Sequence, residues 1–560
     1  SGTLTNSPHI RAISAIAWAA APPLVAAVLN GHIPAAALHV FLPVALGAVM
    51  GAWRARENPH GPQSSAGIGV AALAFVVLGA AAPVMLLVSL LVAAAGVWRW
   101  RQIRWFWIAA APWALVGPSL GGSWRIFFAH PGPQVAGRPS WLGLMTFSPS
   151  AGYTLESAGL TGAGAGSEKL TGVLSDASLA IPLLAALAIL IAALCSLLRH
   201  RNWRGIRRGW LLAAAGFAWA GLSTRFVSGV AYQGSVALPA YGWAGTGLSV
   251  ALLGFFLVLV CAGDGLRTDI SVRSFGPHQL IGLGSVALVI LAALASGAHG
   301  VYLASGGSAL RAVPATRVPA LAVEEQNSAA RSRVLALFAD DAGVRAEVWR
   351  GPGKELHEVT MNDMAGQSLR VTGENSSTQD PASEHLAAAV ADLLAGNPDA
   401  AGALAEHAVS MVLIPDGASD ALAGALNAAP DLEYVTENET GMFWRVSAEL
   451  DPSRLRLGGT HLDAGRYGVH ITLPAGPAQR LDLTERADAG WVAKLDGKTI
   501  APAQDLWNQT WQLPERSEEM ILTINYNRWF EFAVAGGQGL FSLAVLIVAL
   551  PLRRRTVVTA

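Results

Sequence analysis

Ten residues, Arg199 to Arg208 (RHRNWRGIRR), carry five arginines and separate two strongly apolar runs, Ser178–Leu198 and Trp210–Thr224. A basic stretch between two runs of near-membrane length reads as a cytoplasmic loop, because Lys and Arg accumulate on the cytoplasmic side of spanning helices. Similar groups recur at Arg54/Arg56, Arg99/Arg101/Arg104, Arg267/Arg273 and Arg553/Arg554/Arg555, with long apolar pieces between them. If every group faces the cytosol, each intervening piece crosses the bilayer an even number of times. The arrangement predicts five hairpins, about ten spans, with both termini cytosolic.

A span needs roughly 20 apolar residues, which allows the crossings to be placed. The first hairpin is Ile10–Leu29 and Ala35–Trp53, with Pro22-Pro23 kinking its first helix. Ala66–Trp98 is one long run interrupted at Gly79 and Pro83, and it reads as two short spans meeting near Ala81–Pro83. Trp105–Leu120 leads out and Ser178–Leu198 leads back, enclosing a large exterior loop, 121–177. Trp210–Thr224 and Gly242–Ala262 form the fourth hairpin, His278–Ala298 leads out again, and Phe532–Leu552 returns the chain to a basic cytosolic tail. Residues 1–300 are thus expected as a membrane domain of about nine spans, and 531–560 as the last span and tail.

Between these parts, 301–530 holds no span and most of the acidic residues. Apolar runs alternating with amphipathic ones (RVLALF, GVRAEVW, a helix Pro381–Ala395, VSMVLIP, a helix Ser419–Ala428, LEYV, FWRV) predict an exterior α/β domain over 301–450. From Arg454 the pattern alternates with period two. Lys494-Leu495-Asp496-Gly497-Lys498 carries an Asp-Gly hairpin signal, so 451–530 reads as a β-sandwich. Trp491, Trp507 and Trp511 fit its core better than a sugar-stacking surface.

Composition narrows the function. The chain is 52% hydrophobic and 14% charged, with 38 basic against 38 acidic residues, which excludes a nucleic-acid surface. Cys195 and Cys261 both lie in apolar runs, leaving no disulfide framework and no thiolate metal site. GAGAGSEK in the exterior loop lacks the ending of a phosphate loop, and neither a His-Glu-x-x-His nor a Gly-x-Ser-x-Gly motif occurs. The thirteen histidines are scattered and read as structural. Asn375, Asn438 and Asn508 match the glycosylation pattern by chance. The residues best suited to a lipid phosphate and its sugar are cationic and aromatic groups at the exterior edge: Trp124, Arg125 and His130 in the large loop, with Arg225 and Tyr232 in the fourth hairpin.

The whole layout resembles the C-terminal membrane and exterior part of the actinobacterial membrane-bound family 2 glycosyltransferases. The features carrying the resemblance are SPHIRAISAIAWAAAPPL, DGLRTDISVRSFGPHQ, and GWVAKLDGKTIAP followed by WNQTWQLP and LTINY. It implies a multi-pass cell-membrane transferase in cell-envelope biogenesis, working with membrane lipid and a polyprenyl-linked glycan or cell-wall polysaccharide. The family's cytosolic catalytic domain, which carries an acidic divalent-metal motif, has no counterpart here, so no cofactor and no catalytic residue is expected within this chain. Two other readings stay open: a polyprenyl-phosphate-sugar transferase using Glu156, Glu168 or Asp176 on the exterior face, and a non-enzymatic glycan-lipid transporter or scaffold.

Overall fold

The computed structural model describes residues 5, 7–54, 62–119, 127, 139, 141–147, 171–198, 202–233, 236–264, 277–305, 317–340, 343–351, 381–415, 420–465, 468–503 and 506–550. The chain is mixed helix and sheet, and among the described residues five helices are long and apolar enough to cross a membrane: Pro8–Leu29 (counted across one break), Ile33–Trp53, Gly245–Gly263, Gln279–Tyr302 and Trp529–Ala549.

The first of these is two helices, α1 (Pro8–Ala19) and α2 (Pro22–Leu29). Ala21 is extended because the ring of Pro22 disfavours helical geometry in the residue before it, and Pro22 then opens the new helix where no N–H is needed. α3 (Ile33–Arg54) packs along α4 (Pro62–Ala81), and the expected break falls between α4 and α5 (Val84–Trp100) at Pro83.

The expected span Trp105–Leu120 differs. Its only α-helix is α6 (Trp107–Leu115), nine residues flanked by 3-10 turns at Ile103–Phe106 and Gly117–Ser119. At 1.5 Å per residue it covers about 13 Å, less than half a hydrocarbon core. Pro112 lies inside this helix, and the carbonyls of Ala114 and Leu115 accept from the side-chain amide of Gln538, at 3.4 and 3.1 Å, in the last helix of the chain. Gln538→Leu is expected to lower the melting temperature in detergent by a few degrees, since an apolar substitute leaves carbonyls at a helix end unpaired.

After a short α7 (Trp141–Met145) come α8 (Thr171–Ser196) and α9 (Trp203–Ser223). The basic stretch is therefore not all loop: Arg204, Arg207 and Arg208 occupy the first turns of α9, exposed, with Arg208 lying 5.8 Å from the centre of the Trp53 ring at the end of α3. Between α9 and α10 (Gly245–Gly263), β1 (Val227–Gln233) and β2 (Val236–Tyr241) form an antiparallel hairpin. α11 (Pro277–Ser305) follows.

α10 is the buried axis of the helical part, and α9 lies against it with almost no side chain between. A Cβ placed on Gly216 would stand 2.2 Å from the Ala251 backbone nitrogen, and one on Gly254 would stand 2.4 Å from that of Ala213. Small residues allow such backbone approach, which replaces the hydrophobic driving force that helices lack in lipid. A polar tie crosses the same bundle. His39 of α3 stacks on Trp18 of α1 (3.9 Å between centroids), with Nδ1 3.0 Å from Ser249 Oγ of α10 and Nε2 3.2 Å from the Trp18 carbonyl. That carbonyl can only accept, so Nε2 donates and Nδ1 accepts from the serine.

The remaining residues build two β-containing lobes. In the first, α12 (Ala320–Asn327), β3 (Arg333–Asp340), β4 (Gly343–Trp349), α13 (Pro381–Leu394), α14 (Ala400–Glu406), β5 (Val409–Pro415), α15 (Asp420–Ala428), β6 (Leu432–Asn438) and β7 (Gly441–Val446) form a five-stranded sheet in the order β4-β3-β5-β7-β6. Only β3 and β5 are parallel. α13, α14 and α15 cover one face of this sheet with Val390, Leu393, Leu404 and Leu426.

The second lobe is two four-stranded sheets, β10-β15-β12-β13 and β14-β11-β8-β9. They comprise β8 (Leu455–Leu457), β9 (Thr460–His461), β10 (Val469–Leu473), β11 (Gln479–Arg486), β12 (Trp491–Leu495), β13 (Lys498–Ile500), β14 (Asn508–Leu513) and β15 (Met520–Tyr526). One shared core holds Leu481, Leu483, Trp511, Leu522 and Ile524. The Asp496-Gly497 turn joins β12 to β13 with both residues at positive φ, 45° and 79°. Asn508, one of the glycosylation matches, is buried and donates to Asp482.

The lobes are joined by charge. β11 bulges between Leu483 and Arg486, and Glu485 in that bulge is buried against Arg333 (3.1 Å), Arg454 (3.1 Å) and Arg350 (2.8 Å). Arg456 reaches the carbonyls of Ala405 and Glu406 at the C-terminal end of α14, where a cation meets the negative end of the helix dipole. After Asn527 and Arg528, α16 (Trp529–Ala549) begins directly.

Candidate functional site

The five sequence candidates are not brought together among the described residues. Trp124, Arg125 and His130 lie outside them. Arg225 is exposed just past the end of α9, its N–H bonded to the Leu222 carbonyl at 2.9 Å. A cation there is favoured by the helix dipole alone. Tyr232 sits in β1 opposite Ala237. The acidic alternatives Glu156 and Glu168 also lie outside the described residues, and Asp176 falls within α8.

What the fold does assemble is a cleft between α1, α8, α10 and α11. Its volume is about 790 Å³ counting the open mouth. Ile10 and Ile13 line it from α1, Ala192 and Cys195 from α8, Phe256 and Leu259 from α10, and Ile281, Val286 and Val289 from α11. From Ile281 to Val289 the wall runs about 12 Å along the helix axis. The lining follows from local sequence: Ser14, Gly263, Gly282 and Ser285 leave room where bulkier residues would have closed the helices together.

The cleft offers water almost nothing. The hydroxyls of Ser196 and Ser285 turn back onto the carbonyls of their own helices, Ala193 and Ile281, which leaves the lining with few polar groups to hold water. The cleft lies toward the end where α1 and α11 begin and α8 and α10 finish. Polar groups hold those ends: Thr5 Oγ1 donates to Asp264 (2.9 Å), and the Asn202 amide reaches Asp264 (3.3 Å) and the Cys261 carbonyl (3.4 Å). The start of α9, with exposed Arg204, Arg207 and Arg208, meets α10 at this end through Gly205 against Cys261. No motif marks the cleft, because four distant segments contribute; the only local signal was small and hydroxyl residues inside runs next to basic groups.

A second constellation lies at the seam between the two lobes. His385 Nδ1 and His407 Nε2 are 2.9 Å apart, His385 Nε2 is 3.4 Å from Glu406, and Trp507 stacks on His407 at 4.2 Å between centroids. Of the three tryptophans, Trp511 is therefore core and Trp507 a seam residue, while Trp491 is half-buried at the end of the sandwich core. Among the described residues no group of three His, Cys, Asp or Glu side chains could hold a metal.

Burial, followed by the neighbouring His385, Arg333 and Arg456, pushes His407 from 6.5 down to about 3. A histidine held neutral in the fold but free to protonate when unfolded contributes stability that is complete above pH 6.5 and declines from there toward pH 3. Melting curves of the full chain should therefore fall by roughly 2–3 kcal/mol between pH 6.5 and 4.5, at about 1.4 kcal/mol per pH unit. His407→Gln should flatten that decline; an equally steep curve in the variant would assign the acid sensitivity elsewhere.

No family model, no curated protein and no solved structure matches this chain.

Proposed function

We propose that the chain is the membrane and exterior portion of a cell-envelope glycosyltransferase, and that it holds a lipid-linked glycan by the hydrocarbon chain of its carrier. The observation that carries this reading is the cleft between α1, α8, α10 and α11, an open slot walled mainly by Ile, Leu, Val and Phe side chains, at the helix ends where the arginine-bearing start of α9 meets α10. The nucleotide-sugar chemistry is assigned to a cytosolic catalytic domain of the kind found in the family that the sequence resembles.

In this reading the arginine-bearing helix ends face the cytosol and both termini lie on that side. The crossings are α1 with α2, α3, α4, α5, α8, α9, α10, α11 and α16, with α6 supplying the first half of a tenth. The α/β layer and the sandwich then lie on the exterior face. The anionic head of the carrier sits at the cytosolic rim, beside the start of α1.

The test uses the full chain in proteoliposomes and a polyprenyl phosphate bearing a photoactivatable group along its chain. Crosslinks should map to peptides of α8 and α11. Ser285→Phe, which fills the cleft from a side chain bonded only to its own helix, should reduce labelling at least fivefold without shifting the melting temperature. Undiminished labelling in that variant would overturn the cleft as the site, and release of sugar from a nucleotide sugar by this chain alone would overturn the assignment of chemistry to another domain.

A further inference from the structure

α16 packs on α4 and α6 along one side and is otherwise less covered by protein than the other long apolar helices. Of its most apolar stretch only 6% is buried, and Trp529, Phe530 and Phe532 in its first turn are 68%, 69% and 71% exposed. Aromatic rings gathered at one end of a sparsely covered apolar helix mark the depth of a membrane-water interface. The helix is joined to β15 by Asn527 and Arg528 alone, so this girdle and the end of the sandwich lie at one level.

Four contacts lock that geometry. The Asn527 N–H donates to the Gly490 carbonyl at 2.8 Å, tying the turn before β12 to the start of α16. Trp491 lies directly opposite Tyr526 in register, its ring edge-on to the tyrosine at 5.2 Å. The Tyr526 hydroxyl and the Gly490 N–H both donate to Asp488, at 3.1 and 2.6 Å. The turn 487–490 is therefore braced against the girdle. Its charges are not lipid-repelling, since Asp488 is engaged by those two donors and Glu531 stands 3.9 Å from Arg528.

We propose that the sandwich rests on the membrane surface, with the turn 487–490 seated among phospholipid headgroups as a continuation of the Trp529, Phe530, Phe532 girdle. This rests on the reading that α16 crosses the membrane. It adds that the lobe is held against the lipid at one end and does not swing freely on a tether. β12 climbs away from that end, which puts the Asp496-Gly497 hairpin roughly 15 Å further from the lipid.

The test is a nitroxide attached to single cysteines at Ala489, Lys498 or Leu543, in the full chain with Cys195 and Cys261 replaced by alanine, in phosphatidylcholine vesicles. Each labelled protein is first required to melt as the unlabelled one does. Power saturation with oxygen and with a water-soluble nickel chelate should place Leu543 in hydrocarbon, Ala489 in the headgroup zone and Lys498 in water. Nickel access at Ala489 equal to that at Lys498, with Leu543 still in hydrocarbon, would overturn the inference while leaving the span intact. Aqueous access at Leu543 would overturn the span beneath it.

Discussion

Gly216→Leu is expected to dismantle the contact between α9 and α10. A side chain at Gly216 meets the Ala251 backbone at 2.2 Å, and backbone in a helix cannot move aside as a flexible side chain would. Overpacking of a tight core typically destabilises by 1–3 kcal/mol, and two helix axes forced apart along their length should lie at or above the upper figure, about 3 kcal/mol. Gly221 on the same helix supplies the control, because a Cβ there meets nothing within 4 Å. Thermal melting in detergent should therefore separate Gly216→Leu, strongly lowered or not recoverable as folded protein, from Gly221→Leu, close to the parent. Equal melting of the two variants would show that the close approach carries no weight.

The second large effect is expected from Glu485→Ala. Burial alone would raise this carboxyl, but Arg333, Arg350 and Arg454 outweigh it and hold it below its usual value of 4.5. Removing it takes the shared carboxylate from two buried guanidiniums and one partly exposed one, leaving Arg333 and Arg454 to backbone carbonyls such as those of Thr484 and Gly465, and breaking a buried pair by deleting one partner destabilises by about 3–5 kcal/mol. Arg350, 37% exposed, accounts for the smaller share. A carboxylate lowered by folding contributes stability that is present above pH 4.5 and lost as pH falls through its folded value. The parent should thus lose its seam in acid, whereas Glu485→Ala and Glu485→Gln should begin weaker at neutral pH and lose less. Proteolysis of the full chain, read at bonds near Arg454, would detect the opening. A variant as resistant as the parent at pH 7 would show that the three arginines find other partners.

Legibility in the sequence followed how local each cause was. The break at Pro83 and the Asp496-Gly497 hairpin were readable because a single residue's backbone chemistry decides each. The strands after Arg454 were readable from alternation alone. The start of α9 was misread because arginines that look like loop on a hydropathy argument are good helix formers, and helix propensity set the boundary at Trp203. α6 is harder to read: its apolarity fits a span, whereas its described helix is nine residues long, with Pro112 inside it and a partner more than 400 positions away at its end. The β1–β2 hairpin was passed over although Gly234 and Ser235 stand between two runs rich in valine and alanine. Of the candidate site, the basic rim was visible, but the slot was not, since Ile10, Ala192, Phe256 and Val289 become neighbours only after four helices pack.

The bond from Gln538 to Ala114 and Leu115 also sets an order of events during biosynthesis. At roughly 5–20 residues per second, the ribosome needs about 20 to 85 s to reach Gln538 after making Leu115. Throughout that interval the end of α6 has not yet met its partner. Any factor that shields unfinished membrane proteins has this as a target, and a chain cut short before α16 would carry it permanently, a mark by which the cell could tell incomplete copies from finished ones.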